Sequence, residues 1–365
     1  MTPRHITLIL PSLRGGGAER VAVNLAHGFV ERGIRVQMVL LERDENRHYD
    51  VDERVEVIGL GHGRALSALF DLRVYFRDNQ PDAVISFLNQ TNLVVLLAHW
   101  LAGSRVPVIA TVHSGLDRAK RESRKDAVIV LLFRFVIGRA ARMVGVSKGV
   151  TASIRDCLGT DNVETIYNPV IMPDLPVKMQ ATLNHPWFTD NEGSVIVAAG
   201  RLQVVKGFDV LIRAFAQLRE THPARLMILG EGPLRGELEA LVDSLGIQDV
   251  VQMPGFVGNP YAYFARADAF ALSSRHEGLP TVLIEAMACG CPVVATDAPG
   301  GSREILDGGK YGPLVPVEDA GALAQALVGT LANPLPAGML KTRADDFSIK
   351  NSVDHYLRII EEAKG

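Results

Sequence analysis

The sequence has few cysteines and no long apolar run, and these absences exclude several classes of protein. Only three cysteines, Cys157, Cys289 and Cys291, occur among 365 residues, too few for the disulfide framework of a small secreted domain. No stretch reaches the eighteen or so consecutive apolar residues that a transmembrane helix needs. The opening residues, MTPRHITLILPSLRGGG, lack the pattern of a secretory signal peptide. We therefore expect a cytoplasmic protein.

Motifs for cofactors and metals are also missing. Cys289-Gly-Cys291 has no second Cys/His pair nearby, and no Asp-x-Asp follows a predicted strand, so we expect no metal. The glycines at 15–17 lack the Lys-Ser/Thr of a P-loop, and Arg20 stands where a Rossmann fingerprint needs its third glycine. The same spacing disfavours a nicotinamide dehydrogenase that would use Glu42 for the ribose. We expect no resident cofactor and no nucleic-acid partner.

The length and the charge distribution indicate two domains of different character. A chain of 365 residues is longer than one hydrophobic core usually serves. Residues 1–170 contain 22 basic and 18 acidic residues, a balance of +4, whereas the remainder has 16 and 23, a balance of −7, which together give the net charge of −3. A basic first half would favour an anionic surface.

Short apolar runs alternate with helix-length segments in both halves, as in parallel sheets covered on both faces. The predicted strands are HITLILP, RVQMVLL, DAVISFL, VPVIATV and RMVGVS, then SVIVAAG, RLMILG, VVQMPG, DAFALSS, CPVVATD and GPLVPV. Residues 168–193 carry four prolines and little periodicity. The pattern predicts an α/β chain of two doubly wound, Rossmann-like domains facing a central cleft, with the parts 1–170, a linker at 171–193, 194–345 and a helical tail at 346–365.

Ligands of such sheets bind at the carboxyl ends of the strands, so the loops there are the candidate site. Gly15, Gly16 and Gly17 lead into a predicted helix and would admit an anion to its N-terminus, unless they serve tight packing alone. Arg201 follows a strand and Lys206 precedes a helix, which suits a diphosphate clamp or, alternatively, solvated surface charge. The glycine turns at 229–233 and 253–258 would line a nucleotide pocket, with Phe256 beside the base.

The stretch RHEGLPTVLIEAMACGCPVVATD places one acid on each side of a helix start. Glu277 precedes a Gly-Leu-Pro turn and Glu285 lies one turn into the helix that follows. Backbone amides between them would face the same crevice as Arg201 and Lys206. Carboxylates accept pairs of hydrogen bonds from sugar hydroxyls. This arrangement predicts a nucleotide-sugar site to which the turn contributes Gly278, Leu279, Thr281 and Val282.

These motifs resemble the retaining GT-B glycosyltransferases of family 4. The resemblance rests on GGGAERV, TVHSG, GVSKGV and IYNPV in the first half, and on GRLQVVKG and SSRHEGLPTVLIEAMACGCPVVATDAPGG in the second. It implies that Glu277 binds the donor hexose, Glu285 the ribose, and Arg201 with Lys206 the departing diphosphate. It also implies that His113 lies beside the reacting sugar and that the glycines at 15–17 close against the phosphates. The donor would be a nucleotide-diphosphate sugar, expected to be UDP-linked, used without a divalent metal.

Residues 118–142 combine eight basic residues with an apolar block too short to cross a bilayer. The basic residues at its start are Arg118, Lys120, Arg121, Arg124 and Lys125. Such a segment is typical of peripheral contact with an anionic membrane, which suits a polyprenyl-linked or other glycan acceptor. A core helix preceded by a solvated loop is the alternative.

Three other functions fit the same architecture. A nucleotide-sugar epimerase or hydrolase would consume the donor without an acceptor, and a non-catalytic subunit would only bind it. The combination of Arg201, Lys206, Glu277 and Glu285 disfavours the binding subunit, which has no need of all four. The fold alone does not decide among these functions.

Overall fold

A computed structural model describes residues 3–14, 16–43, 49–63, 65–116, 124–189 and 192–364, the side chains of 124–127 excepted. The chain forms two compact units, one made of Met1–Val170 with Ser348–Gly365 and the other of Ile171–Phe347. The predicted linker, 171–193, therefore falls within the second unit, and the end of the predicted tail falls within the first.

The first unit contains a parallel sheet in the order β3-β2-β1-β4-β5-β6-β7. Its strands are β1 His5–Leu10, β2 Arg35–Leu40, β3 Glu56–Gly59, β4 Ala83–Phe87, β5 Val108–Val112, β6 Arg142–Gly145 and β7 Val163–Thr165. The described helices between them are α1 Gly17–Glu31, α2 Leu69–Asp78, α3 Asn89–Ala102, α4 Arg124–Val136 and α5 Lys148–Leu158. The inner strands β4 and β5 are buried along their whole length, because helices cover both faces of the sheet.

The second unit repeats this plan with a parallel sheet in the order β10-β9-β8-β11-β12-β13. Its strands are β8 Ser194–Ala199, β9 Ala224–Leu229, β10 Val251–Gly255, β11 Ala269–Leu272, β12 Val293–Thr296 and β13 Leu314–Val315. The described helices are α6 Leu175–Met179, α7 Phe208–Arg219, α8 Arg235–Ser244, α9 Tyr261–Phe264, α10 Thr281–Ala288, α11 Ser302–Ile305, α12 Ala320–Ala332 and α13 Ala337–Asp345. All eleven predicted strands are confirmed, and the structure adds β3 and β7, which the sequence reading missed.

The last helix, α14 Ile349–Glu362, returns to the first unit and packs against α1. Its buried side chains include Val353, Tyr356 and Ile360. A Cβ atom at Gly28 of α1 would lie 2.5 Å from Val353 Cγ2, so the two helices approach closely only because residue 28 is glycine. The predicted helical tail is thus part of the core of the first unit.

Candidate active site

The strand order creates a crevice at the carboxyl edge of the second sheet. From β8 the chain runs outward to β9 and β10, and then returns to β11 on the other side of β8. The loops after β8 and β11 therefore leave in opposite directions, which is where ligands of doubly wound sheets bind. Arg201 and Lys206 follow β8, and Glu277 follows β11. All three predicted residues therefore lie on loops at this edge of the sheet.

Lys206 and Glu277 form an ion pair at this edge. Lys206 Nζ lies 2.6 Å from Glu277 Oε1, and the Ser274 hydroxyl donates to the same oxygen at 2.6 Å. The two charged side chains are 23% and 10% exposed respectively, so the pair is largely shielded from water but remains reachable. Within the part of the chain that the structure describes, both contacts use Oε1, which leaves Oε2 for a ligand hydroxyl.

Gly207 brings the two loops close enough for this pair to form. It follows the 3-10 turn Val204–Lys206 and has a φ of +62°, a conformation that L-residues adopt only with strain. A Cβ atom there would lie 2.2 Å from the carbonyl oxygen of Ser273. The Ser273 hydroxyl in turn donates to the carbonyl of Lys206 at 2.9 Å.

Arg275 also ties these loops together. Its guanidinium donates to both carboxylate oxygens of Asp209, at 2.9 and 2.8 Å, and to the carbonyl of Val204 at 2.6 Å. It also pairs with Glu318. The hydrogen bonds from Arg275 hold the pKa of Asp209 below its usual range. The sequence analysis did not identify Arg275 and Ser274 as site residues. Their position next to Glu277 in the sequence was the signal that could have revealed them.

Glu285 lies on α10, which begins at Thr281 after Pro280. Its side chain is buried, and the hydroxyl of Tyr261 donates to Oε1 at 3.2 Å. Gly300 packs closely against the loop before α10. A Cβ atom at residue 300 would lie 2.0 Å from the carbonyl oxygen of Glu277, so only glycine fits at this position. Because α10 follows the loop after β11, its N-terminal amides lie at the same edge of the sheet as the Lys206–Glu277 pair.

The remaining predicted donor contacts of the second unit differ in exposure. Arg201 is exposed, and Phe256, which follows the edge strand β10, is 82% exposed. Gly278 and Val282 are partly exposed, whereas Leu279 is buried and can offer only its backbone to a ligand. Their contact with a donor stays a prediction.

The glycine loop of the first unit follows β1, which lies beside β4. At this point the strand order reverses, because β2 and β3 lie on one side of β1 and β4 to β7 on the other. Gly15 lies outside the described residues. Gly16 caps α1, and its carbonyl accepts a hydrogen bond from Tyr49 at 3.0 Å. Among the described residues, a Cβ atom at Gly17 would meet nothing within 4 Å, so packing against them does not explain the glycine at position 17.

His113 follows β5 and belongs to a polar network at the carboxyl edge of the first sheet. The buried Thr111 hydroxyl donates to the carbonyl of Ser86 at 2.8 Å and lies 3.2 Å from His113 Nε2. Since the hydroxyl hydrogen is used, Nε2 is the donor and Nδ1 is left as an acceptor. Asn92 links Ser86 Oγ and the carbonyl of Thr111, each at 2.7 Å. Desolvation lowers the pKa of His113 to about 4, so the ring is neutral near pH 7.

This lowered pKa predicts that His113 makes the protein less stable in mild acid. The folded-state pKa of about 4 lies below the ordinary value of 6.5, so the unfolded chain binds more protons between these values. The free energy of unfolding should therefore decrease as the pH falls from 6.5 to 4, by on the order of 2–3 kcal/mol for this one group. Chemical unfolding at several pH values, for wild type and His113→Asn, measures the difference between them.

The same measurement on His355→Asn, an exposed position of α14, is the matched control. His113→Asn should flatten the dependence of stability on pH, and His355→Asn should leave it close to wild type. Equal slopes for wild type and His113→Asn would show that His113 takes up its proton as readily in the folded protein as in the unfolded chain.

The predicted membrane segment is only partly described. Arg118, Lys120 and Arg121 lie outside the described residues, as do the side chains of Arg124 and Lys125, whose backbone begins α4. Over the described part of the chain, no helix is long and apolar enough to cross a membrane. The same residues contain no cluster of three or more His, Cys, Asp or Glu side chains suited to a metal ion.

Comparison with protein families matches both units separately. The family described as Glycosyltransferase Family 4 matches residues 15–172, and the family described as Glycosyl transferases group 1 matches residues 193–333. The chain belongs to the family 4 glycosyltransferases of group 1. The resemblance inferred from the GGGAERV and RHEGLPTVLIEAMACG motifs is therefore confirmed.

Curated relatives of this glycosyltransferase extend along nearly the whole chain. It is 29% identical over 336 residues, 89% of each chain, to the N-acetylgalactosamine-N,N'-diacetylbacillosaminyl-diphospho-undecaprenol 4-alpha-N-acetylgalactosaminyltransferase of Campylobacter jejuni. It is 28% identical over 95% of each chain to the lipopolysaccharide core biosynthesis glycosyltransferase LpsD of Rhizobium meliloti. These relatives are glycosyltransferases of polysaccharide and lipid-linked glycan biosynthesis.

Solved structures agree on the fold. Anabaena Alr3699/HepE in complex with UDP superposes with a TM-score of 0.80 at 19% identity, over 98% of this chain and all of that one. The apo form of the lipopolysaccharide outer core galactosyltransferase WaaB gives a TM-score of 0.78 at 20% identity, over 98% and 99%. The glycosyltransferase thus has the GT-B fold that the sequence analysis expected.

Proposed function

We propose that this glycosyltransferase moves a hexose or N-acetylhexosamine from a UDP-linked sugar to a lipid-linked glycan acceptor, with retention of the anomeric configuration. The observation that carries the proposal is the Lys206–Glu277 pair at the carboxyl edge between β8 and β11. One partner is a cation suited to a diphosphate, and the other is a carboxylate suited to sugar hydroxyls. A nucleotide sugar contains both groups next to each other.

The relatives support this choice of donor and acceptor. HepE has been crystallised with UDP and with UDP-glucose. The name of the Campylobacter relative gives its acceptor as a sugar on diphospho-undecaprenol. A lipid-linked acceptor would require the chain to work at a membrane surface, which we propose is the cytoplasmic one, in the assembly of a surface polysaccharide or glycan.

The reaction breaks the bond between the anomeric carbon and the diphosphate oxygen, so negative charge grows on the departing nucleotide. Arg201 and Lys206, on the loop after β8, would meet this charge together with the N-terminal amides of α10. Groups that stabilise charge appearing only in the transition state raise the rate of the chemical step. These cations let us propose transfer without a divalent metal, and activity in EDTA would test that part.

Each of the two acids would hold one end of the donor. Glu277 would accept hydroxyl hydrogens of the hexose through Oε2, and Glu285, oriented by Tyr261, would accept those of the ribose. The acceptor hydroxyl would attack from the face that the diphosphate leaves, and its proton would pass to the departing phosphate oxygen. This route needs no separate enzyme base. His113, neutral and with Nδ1 as an acceptor, suits a hydroxyl of the reacting sugar.

A donor screen tests the proposal. Purified protein would be mixed with UDP- and GDP-sugars, with and without a membrane lipid extract, and release of nucleoside diphosphate would be followed. We expect release with a UDP-sugar only when the extract is present. Glu277→Gln should reduce it by at least about 100-fold, because the amide cannot accept hydroxyl hydrogens as strongly or hold Lys206. Glu220→Gln, at the exposed end of α7, should keep wild-type activity.

Two outcomes would contradict the proposal. Equal consumption of donor with and without the extract would favour a nucleotide-sugar hydrolase or epimerase on the same fold. Donor binding without turnover in the presence of the extract, unaffected by Glu277→Gln, would favour a subunit that only binds the sugar nucleotide.

A further inference from the structure

Three helices lie side by side on one face of the first sheet. The crossovers β3 to β4, β4 to β5 and β5 to β6 all run in the same direction across the sheet. Because such crossovers are right-handed, α2, α3 and α4 cover the same face. α3 packs between the other two, in contact with α2 on one side and α4 on the other. Their outward surfaces therefore form one continuous face of the unit.

This face is apolar although it is exposed. Of the thirteen large apolar side chains that the described residues expose, nine lie on α2, α3, α4 or the turn before α2. The most prominent define what we call the outer helix face: Phe70 and Val74 on α2, Trp100 and Leu101 on α3, Leu131 and Phe135 on α4. Phe70 is 70% exposed and Phe135 80%. Contiguous apolar surface of this kind indicates an interaction site.

α4 has apolar side chains on two faces, one buried and one exposed. Val130, Phe133 and Val136 are buried against the unit, as a core helix requires. Leu131 and Phe135, four residues apart, form a second apolar stripe that points outward. The sequence analysis allowed either a core helix or a surface segment here. In the structure, one apolar face of α4 packs in the core and a second apolar face is exposed.

Arginines are interspersed with these apolar side chains. Arg73 Nε donates to the carbonyl of Leu101 at 3.2 Å, which ties α2 to the end of α3. The guanidinium of Arg139 lies 5.7 Å from the centre of the Trp100 ring, and Arg134 is exposed on α4. In the part of the chain that the structure describes, no carboxylate pairs with any of these three arginines.

The described acids of the same helices already have partners. Asp71 lies 2.7 Å from His62, and Asp78 accepts from Arg77 at 2.8 Å. The outer helix face therefore combines large apolar side chains with an excess of positive charge. That combination is complementary to a surface that is apolar just below an anionic layer.

We propose that the outer helix face docks on an anionic lipid bilayer, with Phe70, Trp100 and Phe135 inserted below the headgroups and the arginines among the lipid phosphates. A second copy of the chain fits less well. A two-fold interface would bring the arginines of both copies together, and the acids of these helices are already paired. The docking rests on the proposed function in one respect, since it would bring the lipid-linked acceptor within reach of the enzyme. The docking itself can be measured without donor or acceptor.

Sedimentation of the full chain with vesicles tests the docking. Vesicles of phosphatidylcholine alone would be compared with vesicles that also contain phosphatidylglycerol, at low and high salt. We expect binding to the anionic vesicles, and a decrease of at least about tenfold in affinity for the double variant Phe70→Ser, Phe135→Ser. Both side chains are exposed, so the fold should survive. Arg134→Gln with Arg139→Gln should weaken anionic binding by at least about fivefold and reduce its salt dependence.

The matched control is Val177→Ser with Leu245→Ser, two exposed apolar positions of the second unit, which should bind like wild type. Unchanged binding by both the phenylalanine and the arginine variants would overturn the docking, as would the absence of wild-type binding to anionic vesicles. A wild-type dimer in light scattering, converted to monomer by Phe70→Ser, Phe135→Ser and without vesicle binding, would assign the face to a second copy instead. Because the vesicle mixture holds neither donor nor acceptor, a failure of the transferase proposal would leave this result intact.

Discussion

Lys206→Met is expected to lower kcat about 1000-fold, a loss of about 4 kcal/mol in transition-state stabilisation. The ammonium group lies at the carboxyl edge of β8, where the departing diphosphate would acquire charge, and the side chain is only 23% exposed. Methionine keeps the apolar length of the side chain and removes the charge. Because the charge is needed most in the transition state, kcat should fall much more than KM changes. Steady-state kinetics with the donor identified by the screen measures both.

Two comparisons sharpen this result. Lys310→Met removes an exposed lysine of the second unit that pairs only loosely with Asp307, at 3.8 Å, and should leave kcat unchanged. The double variant Lys206→Met, Glu277→Gln should lose much less than the product of the two single losses, because each single variant already breaks the shared ion pair. A rise in KM with kcat unchanged would mean that Lys206 binds the donor without stabilising its cleavage.

Gly207→Ala is expected to destabilise the second unit by about 3 kcal/mol or more and to impair transfer. Two costs add at this position. An alanine at φ +62° costs roughly 1 kcal/mol or more, and its Cβ would lie 2.2 Å from the carbonyl oxygen of Ser273, a backbone atom that cannot move alone. Relieving the clash would separate the loops that carry Lys206 and Glu277. Urea unfolding, followed by the fluorescence of the buried Trp187 in a Trp100→Phe background, reports on this unit.

Gly246 provides the matched control. It follows α8 with a φ of +66°, but a Cβ atom there would meet none of the described residues within 4 Å. Gly246→Ala should therefore cost only about 1 kcal/mol, the strain of the backbone conformation alone, and should leave transfer unchanged. If the two alanine variants were equally stable, the close contact with Ser273 would not constrain the loops. If Gly207→Ala kept full activity, the loop separation would not position the ion pair.

The predicted strands were recovered because parallel strands between helices are long, apolar runs. HITLILP and SVIVAAG, for example, became the inner strands β1 and β8. The edge strands β10 and β13 were predicted from the apolar segments VVQMPG and GPLVPV, but β3 and β7 were missed because most of their side chains are partly or fully exposed. Their sequences therefore lack the apolar run that marks an inner strand.

The candidate site could be predicted in part from the sequence. Arg201, Lys206 and Glu277 were identified because each follows a predicted strand, and parallel strands end at one edge of a sheet. That Lys206 pairs with Glu277 was not predicted, because 71 residues separate them and their approach depends on Gly207. Arg275 looks like an ordinary surface charge until Asp209 and Glu318 are seen beside it.

The sequence by itself determined the two-domain α/β class, eleven of the thirteen described strands and the family, since apolar periodicity and strand-end motifs are local properties of the chain. Only the tertiary structure decided which unit α14 joins, which oxygen of Glu277 holds Lys206, and that α2, α3 and α4 present a shared apolar face. These three results depend on contacts between residues far apart in sequence. Such contacts are set by how the helices and sheets pack, and no local pattern encodes them.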